Sequence, residues 1–441
     1  MTRGTFVRAL LATTAGVSLV AGLTACSEDR TADTNDDAAP ATTAAANVAD
    51  CPNDIFACAM QTSLADLLPE APTTATGEPI VLGMINQENT PVGSYPELSS
   101  AATSAAAMIN EYFGGVNGRP IQIEVCNTQF SPEGSTSCAQ KFVEQGVPAV
   151  LGGIDVFGTG ISTLEENGIP FIGGVPVSFT SVKASNSFQW SGGSWGATIA
   201  FAHHAAENGA KKVAVAYPEF ESSIDGAMRA KSVLEAAGVT EIQMIPYPVT
   251  ATDMTSPIQA AASTNPDALI MLAADMGCAG TFDGVATVGI TAQVYVVGAC
   301  ASPTITKAAG PEKTNGVIFN VEGVVEGRGE DMDFALYSAA AAKYGNFDPV
   351  GAGTVSFRSF INLWSVLLEL DEITPDAIMS TIKSKTDAPS FMGHPYTCDG
   401  SAMPDFPAMC APQEILVQMR NGELTQITDW IDVGKLPGVS L

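Results

Sequence analysis

Three groups of residues in this 441-residue chain have the types and spacing to do chemistry. The first is Gly192-Gly193-Ser194-Trp195-Gly196, a GxSxG pattern that in a hydrolase exposes a serine on a strand-to-helix turn, with His394 following in the right order as base. That pattern arises readily in a chain with 42 glycines. Ser194 also has the simpler role of capping a helix over 197–207. The second is His203, His204 and Glu207. Adjacent histidines point to different helix faces and the HExxH spacing is missing, so these read as surface residues, and neither a metal nor a cofactor is implied. The third is a set of glycine-rich loops carrying acids, hydroxyls and aromatics, which suit binding more than bond-making.

Lys and Arg total 19 against 47 acids, a net charge of −28. Arg3 and Arg8 begin an export leader: an apolar run of about a dozen residues follows them, then small residues. That run is too short to span a bilayer. Without the leader, 17 basic residues face 47 acidic ones, and a charge of −30 repels phosphate backbones, which excludes a nucleic-acid partner. Leu23-Thr24-Ala25-Cys26 resembles the lipobox of bacterial lipoproteins, which implies lipidation of Cys26 and attachment to the membrane through that anchor alone. The other eight cysteines fall into close pairs in chain order: Cys51 and Cys58, Cys126 and Cys138, Cys278 and Cys300, Cys398 and Cys410. In an exported chain these read as disulfides, expected to pair sequentially, with buried free thiols as the alternative.

Elements that position the loops come from a repeating grammar. Short continuous apolar runs recur at 80–85, 120–125, 147–151, 169–172, 212–216, 241–245, 267–272 and 293–297, as in strands covered on both faces. Helical stretches lie between them, and five strands follow a glycine placed as a helix stop, at Gly146, Gly168, Gly209, Gly238 and Gly289. The alternation implies an α/β fold: two doubly wound parallel-sheet lobes with a cleft between them. In such sheets ligands sit at the carboxyl ends of the strands, which selects the loops after residues 85, 151, 172, 216, 272 and 297. Candidate binding residues are Gln87 and Glu88; Gly153, Ile154, Asp155 and Val156; Gly174, Val175, Val177 and Ser178; Tyr217 and Phe220; Asp275 and Met276; and Cys300. The amides of Gly152, Gly153, Gly173 and Gly174 are expected to be available to an anion.

An ordered set of motifs carries a resemblance: IVLGMINQ at 80–87, MINEYFGGVNGRPIQI at 108–123, FVEQGVPAVLGG at 142–153, ENGIPFIGG at 166–174 and NGAKKVAVAYPEF at 208–220. Together they resemble the type I periplasmic-binding-protein fold, in particular the branched-chain amino-acid-binding receptors of ABC transporters. The resemblance implies a non-enzymatic, monomeric extracytoplasmic receptor that closes two lobes on a small molecule and delivers it to an ABC permease. It also implies a three-crossing hinge. The expected layout is 1–25 leader, 26–50 flexible tether, 51–78 stapled N-terminal segment, 79–188 and 322–388 first lobe, and 189–321 and 389–441 second lobe. Family hydroxyls that hold an amino-acid carboxylate and ammonium match Val156 and Val177, a family tyrosine matches Phe220, and a family acid matches Cys300. Asp155, Ser178 and Asp275 are the polar groups left to stand in. The implied ligand is therefore an amino acid or a related amide, carboxylate or apolar metabolite. A lipid-anchored serine hydrolase using Ser194 and His394 is the alternative from another class, and a ligand-sensing module for a membrane signalling partner is a third.

Overall fold

The computed structural model describes residues 48–90, 93–273, 275–323, 325 and 327–441. The leader, Cys26 and most of the expected tether lie outside the described residues, as does the side chain of Asp275.

Two sheets form. The first is wholly parallel and runs β2-β1-β3-β4-β5, with β1 Ile80–Asn86, β2 Ile121–Asn127, β3 Val150–Gly152, β4 Phe171–Ile172 and β5 Ser187–Phe188. The second contains parallel strands β6 Lys212–Pro218, β7 Glu241–Tyr247, β8 Ala268–Met271, β9 Gln293–Val296 and β10 Ile318–Val321. Antiparallel strands β11 Gln413–Arg420, β12 Glu423–Gln426 and β13 Ile431–Asp432 extend that sheet beyond β10. The expected apolar runs seed β1 to β4 and β6 to β9. The expected glycine stops are all left-handed, with φ from 66° to 83°, because each ends a helix whose chain must turn back into the sheet.

Helix Gly353–Leu368 belongs to the first lobe, packed on helix Pro96–Tyr112. Phe357, Phe360, Leu363, Trp364 and Leu367 are buried along it, and Trp364 Nε1 donates to Gly115 O at 2.9 Å. The N-terminal segment docks on the same lobe. Its short helix Ile55–Ala59 is stapled by Cys51–Cys58, Phe56 lies against Phe113, and Asp333 accepts from both Ser63 N and Ser63 Oγ. The other disulfides are Cys126–Cys138, Cys278–Cys300 and Cys398–Cys410.

The chain passes between the lobes after β5, after β10 and before β11. Both sheets therefore turn their carboxyl edges toward the crossings. The first and third crossings run side by side: Gln189 N donates to Ala408 O and Cys410 N to Gln189 O, each at 2.8 Å. Arg358 clamps them to the second crossing, donating to Trp190 O at 2.8 Å, to Glu322 Oε2 at 2.9 Å and to Glu322 O. The last crossing falls later than the expected 389: Phe391, Tyr396 and Cys398 are buried in the first lobe's core, and Met403 and Phe406 in the second's.

Gly83 in β1 is fixed by packing, since a Cβ there would lie 2.7 Å from the Phe142 ring. Gly83→Ala is expected to cost about 1–3 kcal/mol through overpacking. An unchanged denaturation midpoint would mean that the ring yields freely.

Candidate ligand-binding cleft

The first lobe's rim is organised by Asn86, a buried residue at the carboxyl end of β1 that sequence reasoning did not single out. Its Nδ2 donates to Tyr95 O at 2.8 Å, Ser99 Oγ at 2.9 Å and Glu88 Oε1 at 3.1 Å, and its Oδ1 accepts from Ile154 N at 3.0 Å. One carboxamide thus ties the loop after β1 to the loop after β3. Gly153 permits the approach, because a Cβ there would lie 2.2 Å from Asn86 Oδ1. The third loop closes on the second: Val175 N donates to Gly153 O at 3.0 Å, and Gly174, with φ 87°, leaves no room for a Cβ beside the Gly152 and Gly153 carbonyls.

Several expected ligand groups are already engaged. Gly153 N donates to Ile85 O and Gly173 N to Phe188 O, both at 2.8 Å, so these two amides continue the sheet instead of facing an anion. Asp155 is buried and accepts from Ser135 Oγ at 2.6 Å and Gly158 N at 3.1 Å. Burial pushes its carboxyl above the ordinary range, while those hydrogen bonds pull the other way. Ser178 caps helix Phe179–Lys183 in a reciprocal box with Ser181. Glu88 Oε1 also accepts from Ser99 Oγ at 2.5 Å. Gln87 donates through Nε2 to Gly93 O at 3.1 Å, while its buried Oε1 has no hydrogen-bond partner among the described residues. Val156, Val175 and Val177 are half-buried against the lobe's core, and Ile154 is buried.

In the second lobe, Tyr217 and Phe220 are half-buried at the end of β6, where Phe220 precedes helix Glu221–Ala236. Met276 is half-buried in the turn after β8. Cys300 is fully buried in its bridge to Cys278, so it offers no polar group and instead pins the loop after β9 to the loop after β8. The rim is thus apolar, with polar groups mostly occupied in holding loops. Trp190 and Trp195, near the first crossing, are core residues.

The serine and histidine motifs resolve differently from their sequence readings. Ser194 lies inside helix Gly193–Glu207 and does not cap it; Gly192 does so without a side-chain bond. Its Oγ is buried with no hydrogen-bond partner among the described residues, whereas His394 is half-buried, bonded to Pro395 O and set edge-on to Trp430. The two are not brought together. His203 reaches Glu207 at 3.4 Å, and the partly buried His204 bonds Tyr295 Oη at 2.9 Å, so His204 is not a surface residue.

Comparisons with known proteins agree with this architecture. The family model described as periplasmic binding protein matches residues 79–406. No curated protein matches the chain by sequence. Similar solved structures include a leucine-binding protein from Thermotoga maritima, 14% identical, covering 80% of this chain and 98% of that one with a TM-score of 0.66. A fatty acid ABC transporter substrate-binding protein from Thermomonospora curvata is 16% identical, with 84% and 97% coverage and a TM-score of 0.66. An ABC transporter solute-binding protein from Rhodopseudomonas palustris, in complex with 4-hydroxybenzoate, is 16% identical, with 81% and 100% coverage and a TM-score of 0.64.

Asn86→Ala removes one acceptor and three donor contacts at once, and should cost about 2–3 kcal/mol. Hydrogen exchange should accelerate first at Ile154, whose amide loses its acceptor. Unchanged exchange there would show that Asn86 does not hold the rim.

Proposed function

The chain belongs to the periplasmic binding protein family, and from that premise we propose that it is an extracytoplasmic receptor that closes its lobes on a small organic ligand and hands it to an ABC permease. The observation that carries this reading is the convergence of both sheets' carboxyl edges, with half-buried Val156, Val175 and Val177 on one lobe and Tyr217, Phe220 and Met276 on the other. Ligand sites are mostly apolar with a few placed polar groups, and this set fits that description. The leader and the Leu23-Thr24-Ala25-Cys26 segment support membrane attachment through lipid on Cys26. The chain acts as a monomer in this reading.

The ligand class follows from which polar groups remain. Glu88 and Asp155 hold loops, and valines stand where amino-acid receptors of the family place hydroxyls. An apolar body bearing a carboxylate or an amide suits such a rim better than an α-amino acid. The similar fatty acid substrate-binding protein and the similar solute-binding protein in complex with 4-hydroxybenzoate lie in that direction.

A thermal-shift panel of amino acids, amides, aromatic acids and fatty acids tests this. A ligand at 100 times its Kd adds about 2.7 kcal/mol of stability. Phe220→Ala is expected to weaken binding at least tenfold, about 1.4 kcal/mol, with little change in the ligand-free midpoint. No shift across the whole panel would count against the assignment. Metabolic labelling with palmitate should mark the wild type and not Cys26→Ala; equal labelling would rule out that anchor.

A further inference from the structure

The hinge contains a carboxyl group that the binding reading does not use. Glu414, in β11 just past the third crossing, is 0% exposed. One of its oxygens accepts from Asn320 Nδ2 at 3.0 Å; the other, Oε1, is buried with no hydrogen-bond partner among the described residues. That second oxygen lies against the start of helix Gly193–Glu207, where side chains on Gly192 and Gly196 would come within 2.4 and 2.5 Å of it. The glycines of the GxSxG pattern are therefore seats for a carboxyl group from another crossing.

The charges around it do not balance. Arg358, 4% exposed in its side chain, is the buried cation, and Glu322 already takes it up through both its carboxylate and its carbonyl. Glu322 Oε1 also accepts from Ser191 Oγ at 2.6 Å, so the first two crossings meet at the same acid. Across β13, Asp432 stands opposite Gln413 and is paired with the exposed Lys435 at 2.6 Å. Helix Gly193–Glu207 carries its titratable groups, His203, His204 and Glu207, at the far end. From β10 the facing groups are Asn320 and, just beyond the strand, Glu322. Two acids thus share one base, and an ionised Glu414 would be a buried charge without its own partner, which proteins avoid at a cost of several kcal/mol.

We propose that Glu414 is held uncharged inside the hinge and that its ionisation parts the crossings, so that the opening of the lobes is linked to the release of a proton. Water reaches the carboxylate only if the segments packed on it separate, and those segments, the start of helix Gly193–Glu207, the end of β10 and the start of β11, each run straight into a crossing. Burial, with the Glu322 charge acting in the same direction, holds the carboxyl well above its ordinary range, while Asn320 and Arg358 oppose this. The sign follows. The folded state keeps a proton that the unfolded chain has already lost in the ordinary carboxylate range, so folded stability is greatest at low pH and falls as the pH rises toward the raised value.

This inference rests on the two-lobed receptor reading, but its test uses no ligand, so its failure would leave that reading in place. Small-angle scattering and thermal midpoints of the ligand-free protein are followed between about pH 5 and 9. The wild type should expand and its midpoint fall as the pH rises, and infrared spectra should show a protonated-carboxyl band near neutral pH. Glu414→Gln should lose the band, stay compact and flatten both profiles. Glu322→Gln releases Arg358 to pair with Glu414, and should suppress the expansion even if Glu414→Gln does not fold. Identical scattering profiles in the wild type and the foldable variant would overturn the proposal. So would a midpoint that falls without expansion, or a wild type lacking the carboxyl band.

Discussion

A single buried guanidinium holds the lobes' connections in register. Arg358 rises from a helix of the first lobe and donates to Trp190 O on the first crossing and to the carbonyl and carboxylate of Glu322 on the second. The third crossing reaches it indirectly, hydrogen-bonded along Gln189. A hydrogen-bonded buried pair of this kind is a weak source of net stability, but removing one partner strands the other, so the geometry is strongly enforced. The cleft exists because both sheets direct their carboxyl edges toward this point.

Much of the fold was legible because its strongest signals are local. Continuous apolar runs mark β1, β3, β4 and β6 to β9, since a strand covered on both faces has no polar alternation to obscure it, and left-handed glycines announce five of them, β3, β4, β6, β7 and β9. The two-residue strand β5 carries too little sequence for any period. Strands β11 to β13 contain Gln413, Glu414, Gln418 and Glu423, and their polar residues hide that β11 is buried along most of its length. The same limit applied to the site. The sequence located the rim loops from topology, but Asn86, Asp155 and Ser178 looked alike as polar loop residues. Only the structure shows that Asn86 joins the loops after β1 and β3, that Asp155 ties its loop to Ser135 of a preceding helix, and that Ser178 caps its own short helix.

Gly192 and Gly196 show why a short pattern misleads. A glycine pair flanking a serine looks the same in sequence whether it exposes a nucleophile or admits a carboxyl group from more than two hundred residues away. The partner, Glu414, resembles any of the chain's 47 acids until its burial is known. The acidic composition argues against a nucleic-acid partner, yet says nothing about the few carboxyl groups that sit inside.

The four disulfides each join residues of the same lobe: three lie in the first lobe, and Cys278–Cys300 lies in the second. Three of the four bridges thus lie away from the crossings, and Cys398–Cys410 alone among them ties the third crossing back to the first lobe. Disulfides can harden each half against proteases and heat while the first and second crossings are held to one another by hydrogen bonds and one ion pair. A molecule wired this way can be tough in its pieces and soft in its motion.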